Sequence, residues 1–373
     1  KEKINQKIID DWKNSKYILP AHIQGFHYED GGIKIYNLLP DKVSLIGLRI
    51  DQSEFIPIEQ VIPGHNNFLY TPYFFQSNMK GLLDNRIEIV TKYQGKVIYH
   101  KLYKTLLNAV ENPLSNHNSD AFKFLSKVDE DSWIIPKGEW FVESPIIIHG
   151  TLFIEPGVKL FFDHKAYLAV NGRLIANGNK KNKIELTSKN NSWMGLYVYE
   201  SNLNSILNHI VVSNASSIND GLLNLTGGVN FYRADVEISN SEFIDSKSED
   251  MLNIVESKFL IRNTIMQDSY SDALDIDFST GEIQNLNAIN IKGDAVDTSG
   301  SNLSLKNFTS YNIHDKAISI GESSTVSISN CNINNIGVGI ASKDGSSAII
   351  SGCFIKDAKL AALMTYRKKS FYN

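Results

Sequence analysis

The sequence predicts an all-β chain in which a small β-sandwich precedes a right-handed parallel β-helix with about 22 residues per coil. Three observations lead to this prediction. Polar residues recur at a nearly fixed period in the last third of the chain, short β-rich runs fill its first hundred residues, and 373 residues are too many for one ordinary core. We place the sandwich at residues 1–125 and the β-helix at residues 126–373.

The repeat consists of two polar columns. The first contains Asn240, Asn263, Asn285, Asn307, Asn330 and Gly352, with successive spacings of 23, 22, 22, 23 and 22 residues. The second lies five positions later and contains Asp245, Asp268, Asn290, Asn312, Asn335 and Asp357. Self-similarity at such a period indicates a solenoid, in which equivalent residues stack about 4.8 Å apart. Asn amides can hydrogen-bond along a stack and tolerate left-handed backbone geometry, so we expect buried structural ladders at the corners.

The N-terminal part contains six β-rich runs separated by turn residues: IKIYNLL, KVSLIGLRI, EFIPIEQVI, FLYTPYFF, RIEIVTKY and KVIYHKLYKTL. Their number and length favour the β-sandwich. Upstream, apolar residues between positions 4 and 12 recur at helical spacing and predict a short helix.

The composition excludes several functional classes. A net charge of −4 and a pI near 6.2 provide no basic field for nucleic acid. No run approaches the roughly 18 apolar residues of a membrane span, and phosphate-loop or dinucleotide motifs are missing, which argues against a nucleotide or organic cofactor. The chain begins at Lys1 without a leader, so we expect that a signal peptide or upstream domain was removed.

The two cysteines occupy one column of the repeat, Cys331 and Cys353. This column also contains Ser241, Thr264, Leu286 and Phe308, which we expect to point inward. The rung spacing exceeds the roughly 3.8 Å between the β-carbons of a typical disulfide. We therefore expect buried thiols and keep a disulfide as the alternative.

Three segments, LFIEPGVKLFF, VNGRLIANG and SWMGLYV, together with the repeat, resemble the pectate-lyase-like superfamily of right-handed β-helices over residues 133–373. The resemblance implies the fold, but the superfamily includes lyases, hydrolases, uronate C5-epimerases and non-catalytic adhesins. The segments GGVNFYRADVEI and SEDMLNIVESKF are also weakly similar to β-helical regions of spore-coat-kinase-like (CotH-type) proteins. No family active site matches residue for residue.

A patch of aspartates is the first candidate site. Period-two alternation in YSDALDIDF turns Asp275 and Asp277 outward, and Asp297 follows Asp275 by 22 residues. Asp272 and Asp294 form a parallel column, which Lys316 continues in the next coil. Stacked like charges require relief. We predict Asp275, Asp277 and Asp297 as ligands of calcium, and Asp272, Asp294 and Lys316 as substrate-binding residues. The alternative is that the acids only cap turn amides.

A second column, two positions earlier, contains Lys247, Tyr270, Lys292 and His314. Uronate lyases and epimerases need a base and a cation near the substrate carboxylate, so Tyr270, Lys292 and His314 are predicted as catalytic. An insertion of about ten residues before Asn240 is expected to form a rim of the binding face. It contains Arg233, which can hold a carboxylate.

Two functions remain open at this point. The first is an extracellular, cell-surface or periplasmic enzyme, a lyase or C5-epimerase that acts on an acidic polysaccharide with calcium. The second is a non-catalytic carbohydrate-binding or scaffolding β-helix.

Overall fold

A computed structural model describes residues 23–27, 32–51, 54–64, 72–76, 87–104 and 112–372. The chain divides into two compact units, residues 1–111 and 112–373, so residues 112–125 belong to the second unit. The helix predicted between residues 4 and 12 lies outside the described residues.

The described part of the N-terminal unit contains β1 (Ile23–His27), β2 (Gly32–Asn37), β3 (Val43–Ile50), β4 (Glu54–Ile62), β5 (Tyr73–Gln76), β6 (Ile87–Tyr93) and β7 (Lys96–Lys104). Each of the six predicted runs contains one strand, and β1 is additional. The strands form one continuous sheet, nearly closed into a barrel, in the order β4-β3-β6-β7-β1-β2-β5. Its apolar side chains, such as Ile33, Leu48 and Ile89, are buried in one core.

The second unit begins with a short 3-10 helix (Ser119–Ala121) and continues as a ladder of strands. The strands are β8 (Ser126–Asp129), β9 (Ser132–Ile135), β10 (Glu139–Val142), β11 (Ile146–Ile154), β12 (Lys159–Phe162), β13 (Leu168–Asn177), β14 (Ile184–Ser188), β15 (Leu196–Asn208), β16 (Ile210–Ser213), β17 (Ile218–Asp220), β18 (Leu223–Leu225), β19 (Gly227–Ser239), β20 (Glu242–Ile244), β21 (Asp250–Val255), β22 (Lys258–Ser269), β23 (Asp272–Asp277), β24 (Thr280–Ile291), β25 (Val296–Ser299), β26 (Asn302–Gly321), β27 (Thr325–Lys343), β28 (Ser347–Ser351) and β29 (Phe354–Tyr366). The ladder is parallel except for the antiparallel pairs β8–β9 and β17–β18. About 11 turns of about 22 residues confirm the predicted β-helix.

One face of the β-helix, which we call sheet B, positions the candidate site. It is built from the first halves of β11, β13, β15 and β19, then from β21, β23 and β25, and finally from the last parts of β26, β27 and β29. Leu274 and Ile276 point into the core and are fully buried, whereas Asp275 and Asp277 between and after them are half-buried on the outer face. Period-two alternation therefore orients this strand as predicted.

The two polar ladders exist, but the prediction that they are buried is wrong. Every member of both columns has a backbone φ between 49° and 60°, and the first column is exposed at a corner of the coil. The Nδ2 of Asn285 donates to Oδ1 of Asn263 across 2.7 Å, and the Nδ2 of Asn307 donates to Oδ1 of Asn285 across 2.8 Å. Because the backbone bends around the core at each corner, the side chain on the convex side points outward.

Cys331 and Cys353 form a disulfide, which corrects the expectation of free thiols. Their Cα atoms are 4.3 Å apart on successive turns, closer than the regular rung spacing on which that expectation depended. Both side chains leave the corner in the same column, so the sulfurs meet between the turns. A structural disulfide is typical of oxidising compartments and favours the predicted location outside the cytoplasm.

The insertion before Asn240 contains an antiparallel hairpin, β17 and β18, that lies on the outer face of sheet B. Ile218 of the hairpin is fully buried against Tyr167, Tyr197 and Tyr199. The phenol of Tyr167 donates to Oδ2 of Asp220 across 2.9 Å. The hairpin is thus anchored to the sheet by both apolar and polar contacts.

Candidate functional site

Six aspartates form a strip on the outer face of sheet B. We call this the acid strip, and its members are Asp250, Asp272, Asp275, Asp277, Asp294 and Asp297. Asp250 pairs in register with Asp272, and Asp275 pairs with Asp297. Because the chain repeats at 22 residues, acids at that spacing are brought onto successive rungs. The strip therefore concentrates carboxyl groups on one face of the β-helix.

Backbone amides hold one column of the strip in place. Oδ1 of Asp272 accepts the N–H of Asp294 across 2.8 Å, and Oδ1 of Asp294 accepts the N–H of Lys316 across 2.8 Å. The Nζ of Lys316 lies 3.0 Å from the same oxygen of Asp294. The turn-capping role considered for these acids is therefore present, and it leaves the other carboxylate oxygens available for a ligand.

Burial makes several of these carboxyl groups difficult to ionise. It raises the pKa of Asp275 to about 9, and the charges of Asp277, Asp250 and Asp297 add to the effect. Burial likewise raises the pKa of Asp272 to about 7, and that of Asp277 to about 6. For Asp294, burial raises the pKa to about 6 although the Lys316 ammonium opposes the shift. The strip thus contains groups that release protons on both sides of neutral pH.

Three members of the strip converge on one point. Asp272, Asp294 and Asp297 each offer a carboxylate oxygen, and these oxygens lie within 4.8 Å of one another. The ligand set predicted from the sequence was Asp275, Asp277 and Asp297, so Asp297 is the member that the two sets share. An all-oxygen set suits calcium or magnesium. Next to it, Ser319 pairs in register with Asp297, and its buried Oγ has no hydrogen-bond partner in the described residues. These donors fit a hard divalent cation.

Lys343 lies at the far end of the acid strip and was not predicted from the sequence. Its side chain is 6% exposed and passes over Gly321, so that Nζ lies 3.7 Å from Oδ1 of Asp297. A Cβ at position 321 would meet Cε of Lys343 at 2.7 Å, so glycine leaves room for this approach. The repeat could have predicted this position, because Ser299, Gly321 and Lys343 follow Asp277 at successive intervals of 22 residues.

Tyr270, Lys292 and His314, predicted as catalytic, lie together at a different place. With Lys247 they line an open cavity of about 280 Å³ at the corner that precedes sheet B. The Nζ of Lys292 lies 5.3 Å from the centre of the Tyr270 ring. Within residues 112–372, no hydrogen bond or ion pair joins these three side chains to the acid strip. The chain turns the corner between Tyr270 and Asp272, so positions two apart face different directions.

Arg233 also lies apart from the acid strip. It occupies the opposite corner of sheet B with a φ of 49°. Its guanidinium makes ion pairs with Glu200 at 3.2 Å and with Glu256 at 3.0 Å, on the turns before and after it. This exposed ladder of charges neutralises Arg233 locally, and its role in substrate binding stays a prediction.

A second cavity, of about 350 Å³, adjoins the strip on the side of the hairpin. Tyr197, Asn230 and Asn253 line it and belong to the same outward column of sheet B as Asp275. The Nδ2 of Asn253 donates to Oδ2 of Asp275 across 3.0 Å. The insertion is evident from the sequence but this cavity is not, because the cavity forms only when the hairpin folds back over the sheet.

No protein-family model and no curated protein sequence matches this chain. Solved structures to which it is similar include the catalytic unit of a GH87 alpha-1,3-glucanase from Streptomyces thermodiastaticus, at 9% identity and a TM-score of 0.35, over 92% of this chain and 90% of that chain. A periplasmic alginate epimerase shares 11% identity over 65% of this chain and 79% of its own, with a TM-score of 0.31. A Family 28 exopolygalacturonase from Yersinia enterocolitica shares 10% over 95% and 99%, with a TM-score of 0.18. These β-helical carbohydrate-active enzymes are structurally similar to the chain, but at such scores they carry no argument about its activity.

The described residues contain no helix with the length and apolarity of a transmembrane segment.

Proposed function

We propose that this protein acts outside the cytoplasm on an acidic polysaccharide, which lies along the outer face of sheet B and is held there through a divalent cation. One observation carries the proposal: Asp272, Asp294 and Asp297 direct carboxylate oxygens to within 4.8 Å of one another on the outer side of sheet B, where Asp294 is buried and the other two acids are half-buried. Calcium is the expected cation because its ligands in proteins are carboxylate and other oxygen atoms. The reaction class we propose is β-elimination or C5-epimerisation of a uronate.

The strip itself explains why a cation would bind. Burial and mutual repulsion raise the pKa values of Asp272 and Asp294, so ionisation of these groups in the free protein is costly. A bound cation favours the ionised forms, and it neutralises a substrate carboxylate so that the adjacent C–H becomes more acidic. Lys316 and Lys343 hold Asp294 and Asp297 at the edge of the same cluster.

Two acids on β23 can move the proton. Asp277, with a pKa of about 6, is largely ionised at neutral pH and can accept a proton from the substrate. Asp275, with a pKa of about 9, keeps its proton at neutral pH and can donate it to the glycosidic oxygen that departs in β-elimination, or to C5 in epimerisation. Two carboxyl groups whose pKa values lie on either side of neutrality are a common arrangement of a general base and a general acid. We propose these roles in place of those predicted for Tyr270, Lys292 and His314.

A second candidate function is binding of the same glycan without turnover. The observation that favours it is the separation of the Tyr270, Lys292 and His314 column from the acid strip. This arrangement keeps the three residues that were predicted as catalytic away from the acids that are proposed to bind the glycan.

The test is an activity panel with alginate, pectate and glycosaminoglycans, each with calcium and with a chelator. Formation of unsaturated ends is followed by ultraviolet absorbance, and exchange at C5 by NMR in deuterated water. We expect turnover of at least one polymer with calcium, and its loss in Asp297→Asn but not in Asp357→Asn, an exposed corner acid of the last turn. Calcium-dependent binding without either signal would select the second candidate, and absence of binding would reject both.

A further inference from the structure

The cavity between the hairpin and the acid strip has a chemical character of its own. Leu225 of the hairpin and Val255 of sheet B supply apolar walls, and Tyr232 contributes an aromatic surface. None of its lining residues is a Lys, Arg, His, Asp or Glu. It thus contrasts with the acid strip beside it. In the column that contains Asn253, the next two turns carry Asp275 and Asp297.

Amide and hydroxyl groups give the cavity directional contacts. Asn230 and Asn253 belong to its lining, and each uses its Nδ2 to donate to sheet B or the acid strip. Within the described residues, no hydrogen bond is made by the Oδ1 of Asn253. Burial raises the pKa of Tyr197 to about 12, which keeps its hydroxyl neutral and able to donate. Small-molecule sites commonly combine apolar walls with a few such polar groups.

The hairpin wall is held firmly enough to shape a site. Ile218 is fully buried on the aromatic residues of the sheet, and Asp220 accepts a hydrogen bond from Tyr167. Leu222, at the tip of the hairpin, is 73% exposed and does not line the cavity. The hairpin thus presents one side to the cavity and its tip to solvent.

The cavity and the cation cluster lie on one straight path. Asn253, Asp275 and Asp297 occupy consecutive rungs of a single column, about 4.8 Å apart. A sugar unit is about as long as the rung spacing, so a glycan that follows this column places one sugar over the cavity at Asn253 and the next sugar over Asp275, with its carboxylate directed to the cation cluster on the rung that follows. The first would meet uncharged walls, and the second a cluster suited to a cation-bound carboxylate.

We infer that the cavity lined by Leu225, Asn253 and Val255 is a subsite for an uncharged sugar with an apolar substituent, such as the acetamido group of an N-acetylhexosamine. The polysaccharide is then one in which uronate and N-acetylhexosamine units alternate, rather than a polymer of uronate alone. This inference rests on the proposed function, because it assumes that the uronate is bound at the cation cluster. The methyl group packs on Leu225 and Val255, and the amide faces the asparagine side chains.

The test compares two kinds of probe with the full chain in calcium: oligosaccharides of hyaluronan or chondroitin, which alternate the two sugars, and oligogalacturonate or oligomannuronate of equal length. Affinity is measured by calorimetry. We expect the alternating probes to bind at least about tenfold more tightly. Asn224→Trp, an exposed hairpin position that lines the cavity, should fill it and remove this preference. Leu225→Asp should do the same by placing a charge in the wall.

Leu222→Asp is the matched control, since it adds the same charge at the exposed tip and should keep the preference. If homopolymers bind as tightly as the alternating probes, and Asn224→Trp changes neither, the inference is overturned while the proposed function stands. If Asp297→Asn does not weaken binding of any probe, the proposed function fails as well. Should Leu225→Asp not fold, the Asn224→Trp comparison decides alone.

Discussion

Oδ1 of Asp272 accepts the backbone N–H of Asp294 across 2.8 Å, and Asp294 accepts that of Lys316 in the same way, so these two acids each position the next turn of the chain. Because the amide fixes the Asp272 carboxylate before any ligand arrives, little reorganisation is needed to bring it together with Asp294 and Asp297. Preorganised oxygen ligands raise the affinity of a cation site. The structural and the proposed chemical roles of these acids are therefore compatible.

Removal of one ligand should weaken cation binding without unfolding the coil. We expect Asp297→Asn to reduce calcium affinity by about tenfold or more, because the number of charged ligands sets affinity in such sites. Calorimetry or competition with terbium luminescence measures the change. Asp357→Asn, at an exposed corner, should bind calcium as the wild type does. Equal affinity in both variants would reject the three-aspartate site.

Stability should depend on pH in the direction opposite to that of a salt-bridged acid. The folded-state pKa of Asp275 is raised to about 9 from an unfolded value near 4, so the native state binds the extra proton between these values. The contribution of Asp275 to stability is thus complete below about pH 4 and is lost as the pH rises toward 9. In chelator, melting temperature should fall less between pH 5 and pH 8 for Asp275→Asn than for the wild type. A steeper fall in the variant would contradict the raised pKa.

Catalysis should depend on the acid strip and not on the Tyr270, Lys292 and His314 column at the neighbouring corner. Asp277→Asn should lower the rate by about 10² to 10⁴, the usual contribution of a general base, whereas Tyr270→Phe and His314→Gln should retain nearly full activity. The rate should rise with pH as Asp277 ionises and decline at higher pH as Asp275 loses its proton, each at a lower pH than in the metal-free protein because the bound cation favours the ionised forms. A comparable loss of activity in His314→Gln would support the catalytic roles that were predicted from the sequence for Tyr270, Lys292 and His314.

The asparagine ladder that contains Asn285 should stabilise the coil mainly because its residues tolerate the left-handed backbone conformation at the corner. Asn285 has a φ of 57° and hydrogen-bonds with both neighbouring turns. Asn285→Leu should lower the free energy of unfolding by about 1 to 2 kcal/mol, because a branched side chain is disfavoured in left-handed geometry. Asn285→Gly keeps that geometry and removes only the ladder, so it should cost less in denaturant titrations. Equal losses in the two variants would assign the effect to the hydrogen bonds.

The disulfide should stabilise the last turns of the β-helix. Reduction of Cys331 and Cys353, which close a loop of 22 residues, should lower the free energy of unfolding by about 3 kcal/mol. The double variant Cys331→Ser/Cys353→Ser should melt like the reduced wild type and should no longer respond to reductant. An unchanged melting temperature under reduction would indicate that the pair is not bonded in solution.

The sequence by itself determined the period, the six N-terminal β runs and the stacking of Asp275 on Asp297. In a parallel β-helix, residues one repeat apart are nearest neighbours, so spacing along the chain translates directly into contacts. The inward and outward faces of β23 follow from alternation for the same reason. These features are local and depend on one backbone geometry repeated many times.

Only the tertiary structure decided what happens at the corners and where long side chains reach. The bend of each corner directs the Asn ladder to solvent, turns Tyr270 away from Asp272, and brings Cys331 close enough to Cys353 for a bond. Lys343 reaches Asp297 only because position 321 carries no side chain. The cavity beside Asn253 exists only because a hairpin inserted in one coil folds back over the sheet. Such arrangements depend on side-chain length, rotamer and packing across several turns, which no single repeat encodes.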